Sequence, residues 1–410
     1  MEYGLIGEKL GHSFSKIVHG KLALYDYELK EIKKEDFNSF MQKKDFKAIN
    51  VTIPYKSDVI PYLDFISENA EKIGAVNTIV NKNGKLYGYN TDYLGLTALI
   101  EYNHIDLKGK KVLILGSGGT SKTAKAVAED LGAKEVYRLS RKGGEGLITY
   151  TEAYEKHTNA EVIINTTPCG MYPNMGESAI DISEFSDLET VVDAIYNPIS
   201  TALVVEAEKR GINAVGGMYM LVAQALFAAE LFAGKTFSKT EISRITGEII
   251  KEKQNIVLIG MPGCGKSTIG KELARVLCKE FADSDEEIIK REGISIPEIF
   301  AVKGEKGFRE IECQIIKELS KMQGLVIATG GGAVLNPQNV ELLKGNGTVL
   351  FLDRNINDIV ATSDRPLSSN REDLEKRYTE RYPIYLSSAD FKIECGNSVK
   401  ENIKAIKEVL

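Results

Sequence analysis

Short apolar runs alternate with longer stretches of helical periodicity from one end of the chain to the other. YGLIG, AINVTI, KVLILG, EVYRLS, EVIINTT, TVVDAIY, NIVLIG, LVIATGG and TVLFLD each gather β-branched and aliphatic residues in a run of strand length. Helical segments separate most of them. That alternation predicts an α/β fold of mainly parallel sheets covered on both faces. NTIVNKNGKLYGYN departs from it and reads as a hairpin turning at Asn83-Gly84, a dipeptide suited to a two-residue turn with positive φ. The most apolar segment, MYMLVAQALFAAELFAG, is interrupted by Gln224 and Glu230. It is short and polar for a membrane span and predicts a buried helix.

Two strand-to-helix turns are rich in glycine, Gly116–Gly119 and Gly260–Gly265. Each is expected to open its own nucleotide-binding unit. About 110 residues precede the first turn, enough for a small α/β domain. The chain thus divides into residues 1–105, completed by C-terminal helices at about 218–247, then 106–217, then 254–410. The junction SRITGEIIKEKQN is charged and lacks Pro or Ser richness, so it predicts a helix running straight into the next domain.

Composition narrows the function classes. The 410 residues are 43% hydrophobic and 27% charged, ordinary for a soluble globular protein. A net charge of -6 argues against a nucleic-acid partner. The five cysteines are widely spaced and odd in number, which points to reduced thiols in a cytoplasmic protein. The four histidines lack metal-ligand spacing. The opening MEYGLIGEKLGHS has no basic segment leading into an apolar core, so no secretory signal is expected. No membrane partner is expected either, and the oligomeric state is not readable.

At the first turn, Gly116 permits the tight bend, and Gly118 and Gly119 let backbone approach a pyrophosphate at a helix N-terminus. The third glycine position of that fingerprint holds Ser121, so the turn alone also fits an α/β domain without a dinucleotide. The next strand ends in Ser140, Arg141 and Lys142. An NAD site usually has an acidic residue there, whereas two cations suit the 2′-phosphate of NADP. A solvated basic loop is the other reading.

The first 100 residues hold three chemically dense stretches: Ser13 and Ser15 in LGHSFSK; Asn50, Thr52 and Lys56 in INVTIPYK; and Asn77, Asn90 and Asp92 in AVNT and GYNTDYLG. Taken singly, Ser13 or Asp92 could be a helix N-cap and Lys56 a surface lysine. Together with GSGGTSKTA, INTTPCGM, DAIYNP and GGMYMLVAQA they form an ordered set over residues 1–247 that resembles the shikimate dehydrogenase family. Lys16 and Ser140 stand where that family commonly has Pro and Asn. The resemblance implies a substrate domain plus a Rossmann NADP-binding domain, and reduction of 3-dehydroshikimate to shikimate by NADPH. It implies Lys56 and Asp92 as catalytic residues. Ser13 and Ser15 would hold the ring carboxylate, Thr52, Asn77 and Gln224 the hydroxyls, and Tyr196 the cleft wall. Gly217 would join the cofactor set. Lys56 can protonate the oxygen that a hydride leaves negative, with Asp92 orienting it.

The second turn meets every fixed position of G-x-x-x-x-G-K-[ST] through Gly260, Gly265, Lys266 and Ser267. The loop from Gly263 and Cys264 through Gly265, Lys266, Ser267 and Thr268 is expected to cradle ATP phosphates, with Ser267 on Mg²⁺. Downstream lie Asp283 and Asp285 in FADSD, Arg309 and Glu312 on one helical face, Gly330–Gly332 at a strand end, and Arg365 and Arg381. Guanidinium pairs and a glycine nest suit a carboxylate. In this order the set resembles shikimate kinase over residues 254–410, a P-loop NTPase-type kinase domain with a parallel sheet. The resemblance implies Asp285 at the acceptor hydroxyl and Asp283 supporting Mg²⁺. Arg309, Arg381, Gly331 and Gly332 would hold the shikimate carboxylate, and Arg365 would act from a lid. ATSD is a short lid without the arginine that often stacks on adenine in that family. The expected protein is therefore bifunctional. Two alternatives stay open: a quinate/shikimate dehydrogenase fused to a kinase half of altered or weakened activity, and one half serving as a non-catalytic scaffold.

Overall fold

The computed structural model describes residues 1–11, 14–359 and 371–410. The chain forms two compact units, one of residues 1–169, 178–196 and 206–249, the other of 170–177, 197–205 and 250–410. Among the described residues no helix is long and apolar enough to cross a membrane.

The first unit contains two sheets. The first has strands β1 (Tyr3–Gly7), β2 (Tyr27–Glu31), β3 (Ala48–Val51), β4 (Phe65–Ile66), β5 (Thr78–Lys82) and β6 (Lys85–Tyr89) in the order β2-β1-β3-β5-β6-β4. It is mixed: β5 runs antiparallel to both β3 and β6. The Asn83-Gly84 turn, with φ of 54° and 83°, reverses the chain there, as the hairpin sequence requires. Ile6, Ile49, Val51, Ile79 and Leu86 bury one face against Phe37, Met41 and Tyr55.

Helix Thr91–Tyr102 follows β6 and packs on Met218–Ala233, the apolar segment, which is a buried helix. Gly95 makes their approach possible. A methyl group there would lie 2.8 Å from Met220 O and 2.9 Å from Gln224 Cβ. This contact brings Gln224 of one helix beside Thr91 of the other.

The second sheet is parallel throughout: β7 (Lys111–Leu115), β8 (Glu135–Ser140), β9 (Ile148–Thr149), β10 (Val162–Asn165), β11 (Thr190–Asp193) and β12 (Asn213–Val215), in the order β12-β11-β10-β7-β8-β9. The central strand β7 is wholly apolar from Val112 and feeds the turn at Gly116.

Helix Lys239–Lys253 leads with one intervening residue into β13 (Asn255–Ile259), as the junction sequence predicts. β13 centres a parallel sheet with β14 (Glu280–Asp283), β15 (Leu325–Ala328), β16 (Gly347–Asp353) and β17 (Phe391–Glu394), in the order β14-β15-β13-β16-β17. Its three inner strands, β13, β15 and β16, are near-continuously buried, as a sheet covered on both faces demands, while the edge strands β14 and β17 are partly exposed. Helix Ile296–Leu319 is broken at Gly304, whose φ of 67° lies outside the helical range.

Behind the first sheet, His19 is buried, its ring stacked on Tyr27 at 3.9 Å and its Nδ1 2.8 Å from Tyr25 Oη. Burial pushes its pKa down to about 3.

Two outcomes follow. Gly95→Val forces the two helices apart and is expected to cost the first unit about 1–3 kcal/mol, read as a lower thermal midpoint. His19 stays neutral in the fold but accepts a proton near pH 6.5 once unfolded. Its contribution is therefore present at neutral pH and lost as pH falls from 6.5 towards 3. Denaturant titrations should show roughly 2 kcal/mol lost between pH 6.5 and 5, and a flatter profile in His19→Phe.

Candidate functional sites

In the first unit, Lys56 Nζ donates to Asp92 Oδ2 at 2.5 Å, with the side chains 21% and 15% exposed. Asp92 sits in the first turn of helix Thr91–Tyr102, where the helix dipole favours negative charge. It is not the cap. Asn90 is, its Oδ1 accepting from Tyr93 N at 3.1 Å, so the Asp92 carboxylate turns to the lysine instead.

Asn77 is buried in the bend between the Lys56 loop and β5. Its Oδ1 accepts from Thr91 N at 2.7 Å. Thr91 Oγ1 in turn lies 3.5 Å from Gln224 Oε1. Tyr196 is half-buried; desolvation foremost, then the Asp92 charge, raise its pKa. Its ring meets Phe14 edge-on at 5.3 Å, and Phe14 precedes the half-buried Ser15 on helix Phe14–Leu22. Thr52 N donates to Ile6 O at 2.9 Å. Ser13 lies outside the described residues.

At the first glycine turn, Gly116 has φ 116°, and a methyl group on it would lie 2.8 Å from Thr166 Oγ1. Gly118 and Gly119 open helix Gly119–Asp130, and a methyl on either would meet nothing within 4 Å. That surface is open to a ligand. Ser121 is buried, and its Oγ donates to Gly118 O at 2.8 Å, which ties the turn together. Ser140 Oγ donates to Gly143 O at 3.0 Å, closing the loop that leaves Arg141 and Lys142 exposed. Gly217 lies so close to Ala194 O that a methyl there would stand 2.3 Å from it.

In the second unit, the phosphate loop spans β13 and helix Lys266–Leu277. Gly260, Gly263 and Gly265 have φ of 144°, 84° and 101°. Cys264 is fully buried between them, and Thr268 is exposed in the first turn. Lys266 Nζ donates to Gly260 O and Met261 O, each at 2.9 Å. Ser267 Oγ donates to Asp283 Oδ2 at 2.6 Å. The other oxygen of Asp283 caps the next helix, accepting from Asp285 N at 2.9 Å.

A cavity of about 740 Å³ opens on this loop, and Asp285, Arg309, Glu312, Gly330–Gly332 and Arg381 also line it. Arg309 Nη1 donates to Glu312 Oε2 at 2.7 Å. Arg381 Nη1 donates to Gly331 O at 3.0 Å, as does Tyr385 Oη at 2.5 Å. The glycines are required by proximity. A methyl at Gly332 would stand 2.3 Å from Arg309 Nη2, and one at Gly330 would stand 2.7 Å from Asp285 Oδ1 and 2.8 Å from Glu312 Oε1. Those two carboxylate oxygens are buried without a hydrogen-bond partner. Burial, then the charges of Asp283 and Glu312, raise the Asp285 pKa to about 6, against the pull of Lys266 and Arg309. Burial raises Glu312 while Arg309 opposes it.

Arg377 and Tyr385 were not singled out from sequence, and Glu312 was read there only as sharing a helical face with Arg309, with no role of its own. Glu312 follows Arg309 by three residues, and Arg377 precedes Arg381 by four on helix Arg371–Ser388. Those spacings are the signal that was there to be read. Arg365 lies outside the described residues. Among the described residues no cluster of three or more His, Cys, Asp or Glu could hold a metal ion.

Fold and sites together define a dinucleotide-type α/β oxidoreductase followed by a P-loop phosphotransferase. Residues 5–79 match the family described as shikimate dehydrogenase substrate binding domain, and residues 262–410 the family described as shikimate kinase. The shikimate dehydrogenase (NADP(+)) of Clostridium perfringens is 37% identical over 265 residues, covering 60% of this chain and 97% of that one. The chain belongs to the shikimate dehydrogenase family, and its second unit carries a shikimate kinase domain. Among solved structures, a chorismate mutase/shikimate 5-dehydrogenase fusion from Clostridium acetobutylicum matches with TM-score 0.57 and 35% identity, over 60% of this chain and 96% of that one. The Thermus thermophilus shikimate 5-dehydrogenase in complex with NADP(H) and shikimate matches with TM-score 0.54 and 25% identity, over 60% and 99%.

Removing Arg309 would leave Glu312 buried without its cation. Arg309→Met is expected to destabilise the second unit by about 3 kcal/mol. Adding Glu312→Gln should recover most of that without restoring kinase activity, measured by chemical denaturation and ATP turnover.

Proposed function

We propose that the chain reduces 3-dehydroshikimate to shikimate and then phosphorylates shikimate at its 3-hydroxyl. The observation that carries the first half is the Lys56–Asp92 pair at 2.5 Å beside buried Asn77 and Gln224. The second rests on Asp285, Arg309 and Arg381 lining the cavity that the phosphate loop opens. Residues 1–105 with 218–247 serve as the substrate lobe, 106–217 as the cofactor lobe and 254–410 as the kinase.

NADPH supplies the hydride, bound along Gly116, Gly118 and Gly119 with Arg141 and Lys142 on its 2′-phosphate. Lys56 gives a proton to the carbonyl oxygen as charge builds there, and Asp92 holds the ammonium in place. Ser13 and Ser15 take the ring carboxylate; Thr52, Asn77 and Gln224 take hydroxyls, with Tyr196 in the cleft wall and Gly217 in the cofactor set.

ATP with Mg²⁺ supplies the phosphoryl group, held by the loop from Gly263 to Thr268. The Ser267 hydroxyl and Asp283 carboxylate, 2.6 Å apart, are hard oxygen donors that fit Mg²⁺. Asp285 receives the proton of the acceptor hydroxyl. Arg309, Arg381, Gly331 and Gly332 hold the shikimate carboxylate, and Lys266 and Arg365 stabilise charge on the moving phosphoryl group.

The test is one preparation carrying two knock-outs. Lys56→Ala is expected to lose roughly 10²–10⁴-fold in dehydrogenase turnover while shikimate-dependent ATP consumption persists. Asp285→Asn should do the reverse. Near-normal reduction by Lys56→Ala, or equal use of quinate and shikimate by the parent, would defeat the reading.

A further inference from the structure

Behind Asn77 lies a chain of buried polar groups, the last of which, Thr91, is the residue before Asp92. Tyr27, Asn50, Asn77, Thr78 and Thr91 are each at most 6% exposed. Tyr27 Oη donates to Asn50 Oδ1 at 2.7 Å. Asn50 Nδ2 donates to Thr78 Oγ1 at 3.0 Å and to Asn77 O at 3.3 Å. Thr78 Oγ1 donates to Asn77 Oδ1 at 3.1 Å and also lies 3.1 Å from Thr91 Oγ1.

The two amide orientations in this chain are each fixed by a group with no choice. The Asn77 carbonyl can only accept, so Asn50 must turn its Nδ2 towards it and its Oδ1 towards Tyr27. The Thr91 backbone N–H can only donate, so Asn77 must turn its Oδ1 inward. Thr78 Oγ1, receiving a proton from Asn50, has its own proton left for Asn77 or Thr91. Asn77 Oδ1 thus has Thr91 N, Thr78 Oγ1 and Thr91 Oγ1 around it at 2.7, 3.1 and 3.2 Å. Its two lone pairs are committed.

We propose that Tyr27, Asn50 and Thr78 are positioning residues that lock Asn77 as a donor-only contact, so that the dehydrogenase site selects a ring substituent able to accept a hydrogen bond. A free asparagine offers an oxygen or an amide by rotating; this one offers only Nδ2. The ligand class is a polyhydroxylated ring acid whose hydroxyl oxygen accepts there and sends its own proton elsewhere. An ammonium in that place is refused, because it has nothing with which to accept. The inference rests on reading Asn77 as a substrate contact.

The experiment compares Thr78→Val, Thr78→Ser, Tyr27→Phe and Asn77→Ala in shikimate oxidation, with KM for shikimate, KM for NADP⁺ and kcat measured separately. Thr78→Val should raise KM for shikimate about tenfold, the worth of one hydrogen bond, with kcat and KM for NADP⁺ within about twofold. Thr78→Ser should restore the parent value. Tyr27→Phe keeps the ring on His19 and should shift KM the same way by about threefold. Should Asn77→Ala raise KM while Thr78→Val and Tyr27→Phe do not, the relay is wrong and the substrate contact stands. Should Asn77→Ala leave KM unchanged, the contact itself is wrong. A matched fall in kcat and in both affinities, without rescue by Thr78→Ser, would mean a structural role only and overturn the proposal.

Discussion

The first turn of a helix has backbone N–H groups with no partner in the helix, and the chemistry of this chain gathers around them. Asp92 lies in the first turn after β6, Gly118 and Gly119 start the helix after β7, and Lys266 starts the one after β13. Asp283 and Asp285 flank the start of the helix after β14. At these points the N–H groups need an acceptor. The Asn90 amide oxygen supplies it before Asp92 and the Asp283 carboxylate supplies it at the helix it caps; the two glycine turns leave room for a phosphate. The strands before the two glycine turns, β7 and β13, are buried, which fixes where the donors point.

The two sites handle buried polarity in opposite ways. Around Asn77 almost every donor finds an acceptor, and the result is a contact of fixed orientation. Around Asp285 and Glu312, two carboxylate oxygens remain unpartnered beside the glycine nest, and burial raises both pKa values. A satisfied network resists change. An unsatisfied one is poised to receive a proton or a hydroxyl, which is what an acceptor site for phosphoryl transfer requires.

The alternation of apolar runs predicted the α/β class, the hairpin at Asn83-Gly84 and the helix that enters β13, because each rests on local periodicity or a turn dipeptide. Three of the five pairings in the first sheet are parallel, and the hairpin, which departs from the alternation in the sequence too, gives β5 its antiparallel neighbours. Arg377 escaped notice, and Glu312 was read only as a neighbour of Arg309 on a helical face, because a charged residue at helical spacing reads as an ordinary solvated face until burial is known. Thr78 read as a strand residue for the same reason, and Asn50 stood out only as one polar group in a dense stretch.

The sequence by itself determined the glycine turns, the order of the reacting residue types and the two families they resemble, since these depend on neighbours along the chain. The tertiary structure alone decided which residues meet. Lys56 reaches Asp92 across 36 positions and Thr91 reaches Gln224 across 133. Arg381 closes on Gly331 across 50. Contacts of that separation come from sheet order and from helix packing such as the approach at Gly95. Only the close packing of a folded core, where each buried polar atom must find a partner, fixes the direction in which Asn77 points.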